Sequence, residues 1–360
     1  MSLIYDKLIR PILFRLPAET AHEIGLASLR LGLAKLFSGS GRSAILRNER
    51  MLEAERFGLR FANPIGLAAG FDKNGSVIDQ MADLGFGFVE VGTVTLEPQP
   101  GNPKPRMFRL PADRALINRL GFNNSGSKEI AESIAASRHR CVVGINIGKN
   151  KDVDIDKAVE NYIECFEAVH HAADYIAVNV SSPNTPNLRD LQRPENLYEL
   201  ISALQQRNRL LGAVPLLVKV APDLSGEAID SIVEACVANE VDGMIATNTT
   251  VARTGLRTAG IDRFGAGGLS GAPLFKRSNE VVSAIHKATK GKLPIIGVGG
   301  IFSASDAFEK IAAGASLVQV YTGFVYRGPG FARELSDGLD LLLRERGFSN
   351  LDEAVGSGVK

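Results

Sequence analysis

The stretch Tyr175-Ile176-Ala177-Val178-Asn179-Val180-Ser181-Ser182-Pro183-Asn184-Thr185 begins as an apolar, β-branched run and ends as a crowd of hydroxyls and carboxamides fixed by a proline. A short apolar run bounded by turn residues reads as a parallel strand covered on both faces. Seven more runs have this character: Pro64–Ala68, Phe88–Gly92, Val142–Ile147, Leu216–Val220, Gly243–Thr247, Ile295–Val298 and Leu317–Tyr321. Amphipathic segments such as Ile155–Ala172 and Glu227–Asn239 separate them, with apolar residues at helical spacing. Eight repeated βα units predict an α/β fold of the closed kind, a (β/α)8 TIM barrel. Such a barrel assembles its active site at the carboxyl ends of its strands, and polar residues interrupt these runs at that end. They include Lys73, Thr93, Asn146, Lys219 and Tyr321-Thr322, besides the Asn179–Thr185 and Thr247–Thr250 segments.

With 360 residues, 45% of them hydrophobic and 22% charged, the chain can bury a large core as one domain plus an extension. A net charge of +1 with no long Lys/Arg run argues against nucleic acid as a partner. Cys141, Cys165 and Cys236 form no C-x-x-C pair, so neither a disulfide framework nor a metal site is suggested. No stretch of ~18 apolar residues and no signal-peptide pattern occurs, which predicts a protein neither membrane-spanning nor secreted by that route. The first 50 residues differ from the rest, with eight Lys/Arg against four Asp/Glu. Leu26, Leu29, Leu33 and Phe37 share one helical face, and Leu8, Ile9, Ile12, Leu13 and Leu16 form a second apolar patch. The expected division is a helical extension over 1–45, a barrel over 46–346 and a tail over 347–360, with Gly39-Ser40-Gly41 as linker.

The glycine-rich segments Gly267–Gly271, Gly297–Gly300 and Thr322-Gly323 read as turns at late strand ends, where backbone N–H groups could meet a phosphate; glycines serving only tight turns are the alternative. Lys219 ends an apolar strand, where a buried ammonium needs either a negatively charged ligand or a neighbouring carboxylate. Lys73, beside Asp72, is a solvated charge unless its strand-end position matters. Carboxamides at Asn179 and Asn184, with Asn118, Asn123, Asn124 and Asn248 elsewhere, offer donors and acceptors to a planar heterocycle with imide edges. A Ser/His/Asp hydrolase is disfavoured, because His22, His139, His170, His171 and His286 all lie outside strand ends. A barrel aldolase would use Lys219 as a Schiff-base nucleophile. A membrane adaptor without activity would leave the polar strand ends unexplained.

The segment Gly66-Leu67-Ala68-Ala69-Gly70-Phe71-Asp72-Lys73-Asn74-Gly75 resembles the first-strand motif of dihydroorotate dehydrogenases. Glu90–Thr95, Pro98–Pro103, Ile117–Asn124, Asn179–Thr185, Lys219–Leu224 and Gly267–Gly271 are similar to further motifs of that family, in the same order. The membrane-associated, quinone-dependent class resembles this chain most, with a serine at the base position, here Ser182, and an N-terminal helical extension.

The resemblance implies oxidation of dihydroorotate to orotate, FMN as cofactor and a quinone as electron acceptor, in pyrimidine biosynthesis. It implies FMN contacts from Ala69, Gly70, Phe71, Asp72, Lys73 and Thr93 early in the barrel. Asn146, Asn179, Lys219 and Thr247 would follow, then Gly271, Gly300, Tyr321 and Thr322. Implied substrate contacts are Lys73, Asn118, Arg119, Leu120, Gly121 and Phe122, with Asn179, Asn184, Asn248 and Thr249. Ser182 would take a proton from C5, with Thr185 and a water as relay. Lys219 would lie near the flavin edge that becomes negative on reduction. His22, Arg109 and Tyr321 are similar to residues lining a quinone tunnel between the N-terminal helices. No metal is implied. The implied location is peripheral, on membrane lipid at the cytoplasmic face of the inner membrane.

Overall fold

In the computed structural model, which describes residues 4–33 and 49–359, all eight runs are parallel strands. They span Ile65–Leu67, Phe88–Val94, Val142–Ile147, Tyr175–Asn179, Leu216–Val220, Gly243–Ala246, Ile295–Val298 and Leu317–Val320. Neighbours pair in chain order, and the eighth strand closes on the first with Val318 opposite Ile65 and Val320 opposite Leu67. Small residues make room for large ones at the amino end of the barrel. A Cβ on Gly66 would stand 2.2 Å from the Phe88 ring, and one on Gly144 would stand 2.0 Å from the Tyr175 ring. Phe61, from a hairpin pairing Ala54–Arg56 with Leu59–Phe61, meets the Phe88 ring edge-on and covers that end.

The surrounding helices bury one stripe each. Helix Ala158–Val169 buries Tyr162, Cys165, Phe166 and Val169, and helix Gly226–Ala238 starts at Ser225, whose hydroxyl accepts from Ala228 N. The segment expected as one helix, Ile155–Ala172, tightens into 3-10 turns at Ile155–Lys157 and His170–Ala172. Helix termini often tighten in this way to satisfy their end groups.

One expectation is corrected. Gly267–Gly271 is not a turn at the end of a barrel strand: Gly268–Gly271 is itself a strand, antiparallel to Ala115–Asn118, which pairs in turn with Met107–Leu110. The glycines allow close backbone approach, since a Cβ on Gly271 would lie 2.3 Å from Arg114 O and one on Gly268 would lie 1.9 Å from Thr249 Oγ1. This small sheet sits over the carboxyl ends of the barrel strands.

The N-terminal segment docks beside it. A π turn, Tyr5–Ile9, continues as helix Arg10–Leu13, and a second helix covers Ala18–Arg30. Tyr5 Oη donates to Val325 O at 2.7 Å, and Arg109 donates to Leu13 O and Leu16 O at 3.2 and 2.7 Å. Leu8, Ile12 and Leu31 remain more than half exposed. Among the described residues no helix is long and apolar enough to cross a membrane. Phe37, the Gly39-Ser40-Gly41 linker and the 45/46 boundary lie outside the described residues. Beyond residue 346 the chain packs back on the barrel: Leu351 and Ala354 are buried, and Gly356 N and Gly358 N donate to Ile311 O and Ala312 O.

Candidate active site

Beneath the carboxyl ends of the strands the barrel interior is polar. Glu90, on the second strand, is fully buried and receives four donors: Lys219 Nζ and Asn146 Nδ2 at Oε1, both 2.9 Å, and Gln319 Nε2 and Tyr175 Oη at Oε2, 2.7 and 3.2 Å. Burying an ion pair is tolerable only with such complete satisfaction. Burial, followed by the charge of Glu90, drives the Tyr175 phenol far above its ordinary range, so it stays a neutral donor. The carboxylate alternative for Lys219 is therefore realised, and Lys219 also faces the cleft above.

A ladder of side chains continues upward. Thr93 Oγ1 donates to Asn146 Oδ1 at 2.5 Å, Asn179 Nδ2 to Thr93 Oγ1 at 2.9 Å, and Asn248 Nδ2 to Asn179 Oδ1 at 3.1 Å. Asn184 Nδ2 donates to Asn118 Oδ1 at 3.1 Å across the mouth. These groups enclose a cleft of about 1040 Å³. Of the expected FMN residues, Ala69, Gly70, Lys73, Thr93, Asn179 and Lys219 line it, as do Thr247, Gly271, Gly300, Tyr321 and Thr322. Of the expected substrate residues, Asn118, Leu120, Gly121, Phe122, Asn184, Asn248 and Thr249 do so, and Ser182 stands among them.

Four expected residues do not line the cleft. Phe71 turns into a neighbouring apolar cavity, edge-on to His22 and Phe324. Asp72 spends its carboxylate on Ser76 N, Ser76 Oγ and Val77 N, closing its own loop. Asn146 lies one layer below, in the Glu90 network. Arg119 reaches away, donating to Phe264 O, Ala266 O and Pro105 O with its guanidinium over Phe108. Neither Asn123 nor Asn124 faces the cleft, and Asn124 staples a loop through Thr95 and Gly126. Residues not anticipated are Glu90, Gln319, Met107 and Ser270, whose Oγ lies 2.8 Å from Thr322 Oγ1. A polar side chain inside an apolar run, the signal that marks Lys219, also marks Glu90 and Gln319.

The Ser181–Thr185 loop is clamped from outside. Arg189 donates through Nε to Ser181 O at 3.0 Å, through one terminal nitrogen to Asp223 Oδ2 at 2.9 Å, and through the other to Thr249 O at 3.1 Å. Ser182 Oγ accepts from Asn184 N at 3.3 Å, and the buried Thr185 hydroxyl has no hydrogen-bond partner among the described residues.

The second cavity, of about 1430 Å³, lies between the N-terminal helices and the barrel. Ile9, Leu13, Phe14, Leu29 and Phe71 make it apolar, and His22 and Arg109 join them. Burial first, then the charge of Lys73, pushes the His22 imidazole down to about 3, against a hydrogen bond to the Phe71 backbone, so its ring is neutral. Tyr321, Met107 and Leu116 line both cavities and form the wall between them.

The polar cleft suits FMN on the structure's own terms. The Thr247 hydroxyl is buried at its edge without a partner. Gly299 and Gly300, at φ +124° and +75°, present a turn without side chains after the seventh strand, beside Thr322 and Gly323 after the eighth. That pair of turns is where barrels of this kind take a phosphate.

Comparison with known proteins agrees with this geometry. The model of the family described as dihydroorotate dehydrogenase matches residues 51–343. A relative from Gloeobacter violaceus, named dihydroorotate dehydrogenase (quinone), is 50% identical over 97% of this chain and 98% of its own. One of the same name from Nitrosospira multiformis is 51% identical over 91% of this chain and 94% of its own. Among solved structures, ligand-free DHODH from Eimeria tenella superposes with a TM-score of 0.86 at 39% identity, covering 95% of this chain and 99% of that one. The same organism's DHODH in complex with ferulenol gives 0.85 at 39% identity, covering 94% and 95%. Since the match runs unbroken through the barrel strands, the covering sheet and the helices around them, the chain belongs to the dihydroorotate dehydrogenase family.

Proposed function

We propose that this chain oxidises (S)-dihydroorotate to orotate, with FMN as hydride acceptor and a quinone as the final electron acceptor, in de novo pyrimidine biosynthesis. The observation that carries this is the pair of adjoining cavities of opposite character, separated by the Tyr321 wall. A charged planar substrate needs the carboxamide-lined cleft, and a lipid-soluble oxidant needs the apolar one.

When bound, FMN would supply the redox chemistry that the side chains lack, as hydride acceptor and electron carrier. Thr322 and the Gly299-Gly300 turn would hold its phosphate, and Thr93, Asn179, Lys219 and Thr247 its ring system. Lys73 pairs with the substrate carboxylate, while Asn118, Asn184 and Asn248 read the ring carbonyls and N–H groups. Ser182 removes the proton from C5. A neutral hydroxyl is a weak base, and the unpartnered Thr185 hydroxyl is the candidate to pass that proton onward. In an anaerobic titration, dihydroorotate should bleach the flavin absorbance and ubiquinone should restore it, whereas NAD and fumarate should not. Bleaching without reoxidation by ubiquinone would overturn the quinone assignment.

Lys73 gives a pH dependence. Burial lowers its ammonium to about 8, opposed by Glu19, reinforced by Arg106 and opposed again by Asp72 and Glu23. The charged form that holds a carboxylate exists below that value, so kcat/KM for dihydroorotate should fall as pH rises through about 8. Lys73→Ala should raise KM by about 10- to 100-fold, the worth of one charge-assisted hydrogen bond, remove that limb of the profile and retain FMN. Lys219→Ala should instead lose FMN; equal FMN loss from both variants would overturn this division of roles.

The basic, apolar first 45 residues support a peripheral position on the cytoplasmic face of the inner membrane. Each basic residue near an anionic surface contributes ~1 kcal/mol, added to burial of side chains such as Leu8, Ile12 and Leu31, which gives reversible attachment. A chain beginning at Leu46 should still have its FMN reduced by saturating dihydroorotate, yet lose liposome binding and most long-chain ubiquinone reductase activity. Full quinone activity with unchanged liposome binding in the folded, shortened protein would sink the membrane-access role.

A further inference from the structure

An ion pair between the buried Arg106 and the partly exposed Glu19 fastens the N-terminal helix to the loops of the polar cleft, with the exposed Lys104 lying 3.6 Å from Glu19 and 3.5 Å from Glu23. Arg106, 6% exposed, donates through Nε to both carboxylate oxygens of Glu19, at 3.1 and 3.2 Å, and through a terminal nitrogen to Oε1 at 2.7 Å. Its other terminal nitrogen points the opposite way, to Pro100 O at 2.6 Å and Asn102 O at 2.9 Å. Asn102, held by that grip, spends Nδ2 on Arg119 O at 3.0 Å and Asn184 O at 3.2 Å, and its backbone N–H on Leu120 O at 2.9 Å. Asn184 N in turn donates to Ser182 Oγ. The join has no slack, because a Cβ on Gly121 would lie 2.7 Å from the Asn102 amide and one on Gly101 would lie 2.3 Å from Leu120 O.

A continuous chain of polar contacts therefore runs from a carboxylate on helix Ala18–Arg30 to the loops carrying Leu120, Gly121, Ser182 and Asn184, all of which line the cleft. Burial opposes ionisation of Glu19, but the hydrogen bonds and charge of Arg106, with Lys104 and Lys73, hold its carboxyl below the usual range, so the pair is charged. A guanidinium at that depth is costly to leave without a partner. Loss of Glu19 would force Arg106 to seek another partner and loosen its hold on Asn102.

We propose that Glu19 is a positioning residue for dihydroorotate oxidation: through Arg106 and Asn102, the docked N-terminal helix sets the loops that grip the substrate. The helix that borders the apolar cavity then tunes the polar one as well, which joins the two halves of the catalytic cycle through the protein itself. This rests on the polar cleft being the dihydroorotate site.

The test uses the full chain with FMN bound, and orotate binding read from the change it causes in the flavin spectrum. Glu19→Ala and Asn102→Ala should each raise the orotate Kd by about ten-fold, with the milder Glu19→Gln at roughly three- to five-fold. Dihydroorotate KM should rise in parallel, and FMN content should not change. The double variant Glu19→Ala/Asn102→Ala should be no worse than Asn102→Ala alone, since both cut one chain. A general loosening would instead release FMN. Orotate Kd within two-fold of wild type in the Glu19 variants, or fully additive effects in the double variant, would overturn the proposal. Failure of the wild type to bind orotate would overturn the assignment of the cleft instead.

Discussion

Ser182→Ala is expected to leave FMN bound and orotate affinity nearly intact, while slowing flavin reduction by dihydroorotate by about 100- to 10,000-fold, as loss of a positioned base does. The serine is well placed for so clean a result. It is buried among the cleft residues, its hydroxyl accepts a 3.3 Å hydrogen bond from Asn184 N, and alanine leaves that N–H facing a space where water can serve. Rapid mixing with dihydroorotate under anaerobic conditions reads the rate directly. On the function proposed above, reoxidation by quinone would involve the other cavity and should keep its wild-type rate. Turnover of dihydroorotate within a factor of a few of wild type would remove Ser182 from the role of base.

The second large effect is on stability. Glu90→Ala should destabilise the protein by about 3–5 kcal/mol, the usual result of removing one partner from a buried pair. Lys219 would be left without its partner in the barrel interior, and Asn146, Gln319 and Tyr175 would lose their shared acceptor. Replacing both charges, Glu90→Leu with Lys219→Met, should recover only the part due to the stranded charge, because Asn146, Gln319 and Tyr175 still lack their acceptor. Urea-unfolding midpoints of the single and double variants measure this. A single variant as stable as wild type would show that the network does not bear on the fold.

The barrel was legible because each strand is an apolar run that ends in polar residues, a pattern local enough to read from neighbours in the chain. Most of the cleft followed from the same pattern, with Asn179, Ser182, Lys219 and Thr247 all standing at run ends. What escaped depends on contacts far apart in sequence. Glu90 lies 129 residues from Lys219, and nothing near either one names the other. The strand Gly268–Gly271 exists only because Ala115–Asn118 lies beside it. Phe71 and Asp72 flank a cleft residue, yet their directions are set by His22 and by the Ser76-Val77 turn, so adjacency to Lys73 misleads. Arg119 misleads likewise, since its backbone lies near the cleft while its guanidinium is held by Phe264 and Ala266.

The wall made by Tyr321, Met107 and Leu116 divides the interior into two chambers of opposite polarity. On the function proposed above, dihydroorotate would use the polar cavity and the quinone the apolar one, so neither reactant would have to wait for the other's product to clear its path. An oily blocker lodged against His22 and Phe71 would then starve the enzyme of oxidant without competing with dihydroorotate, and no excess of that substrate could displace it.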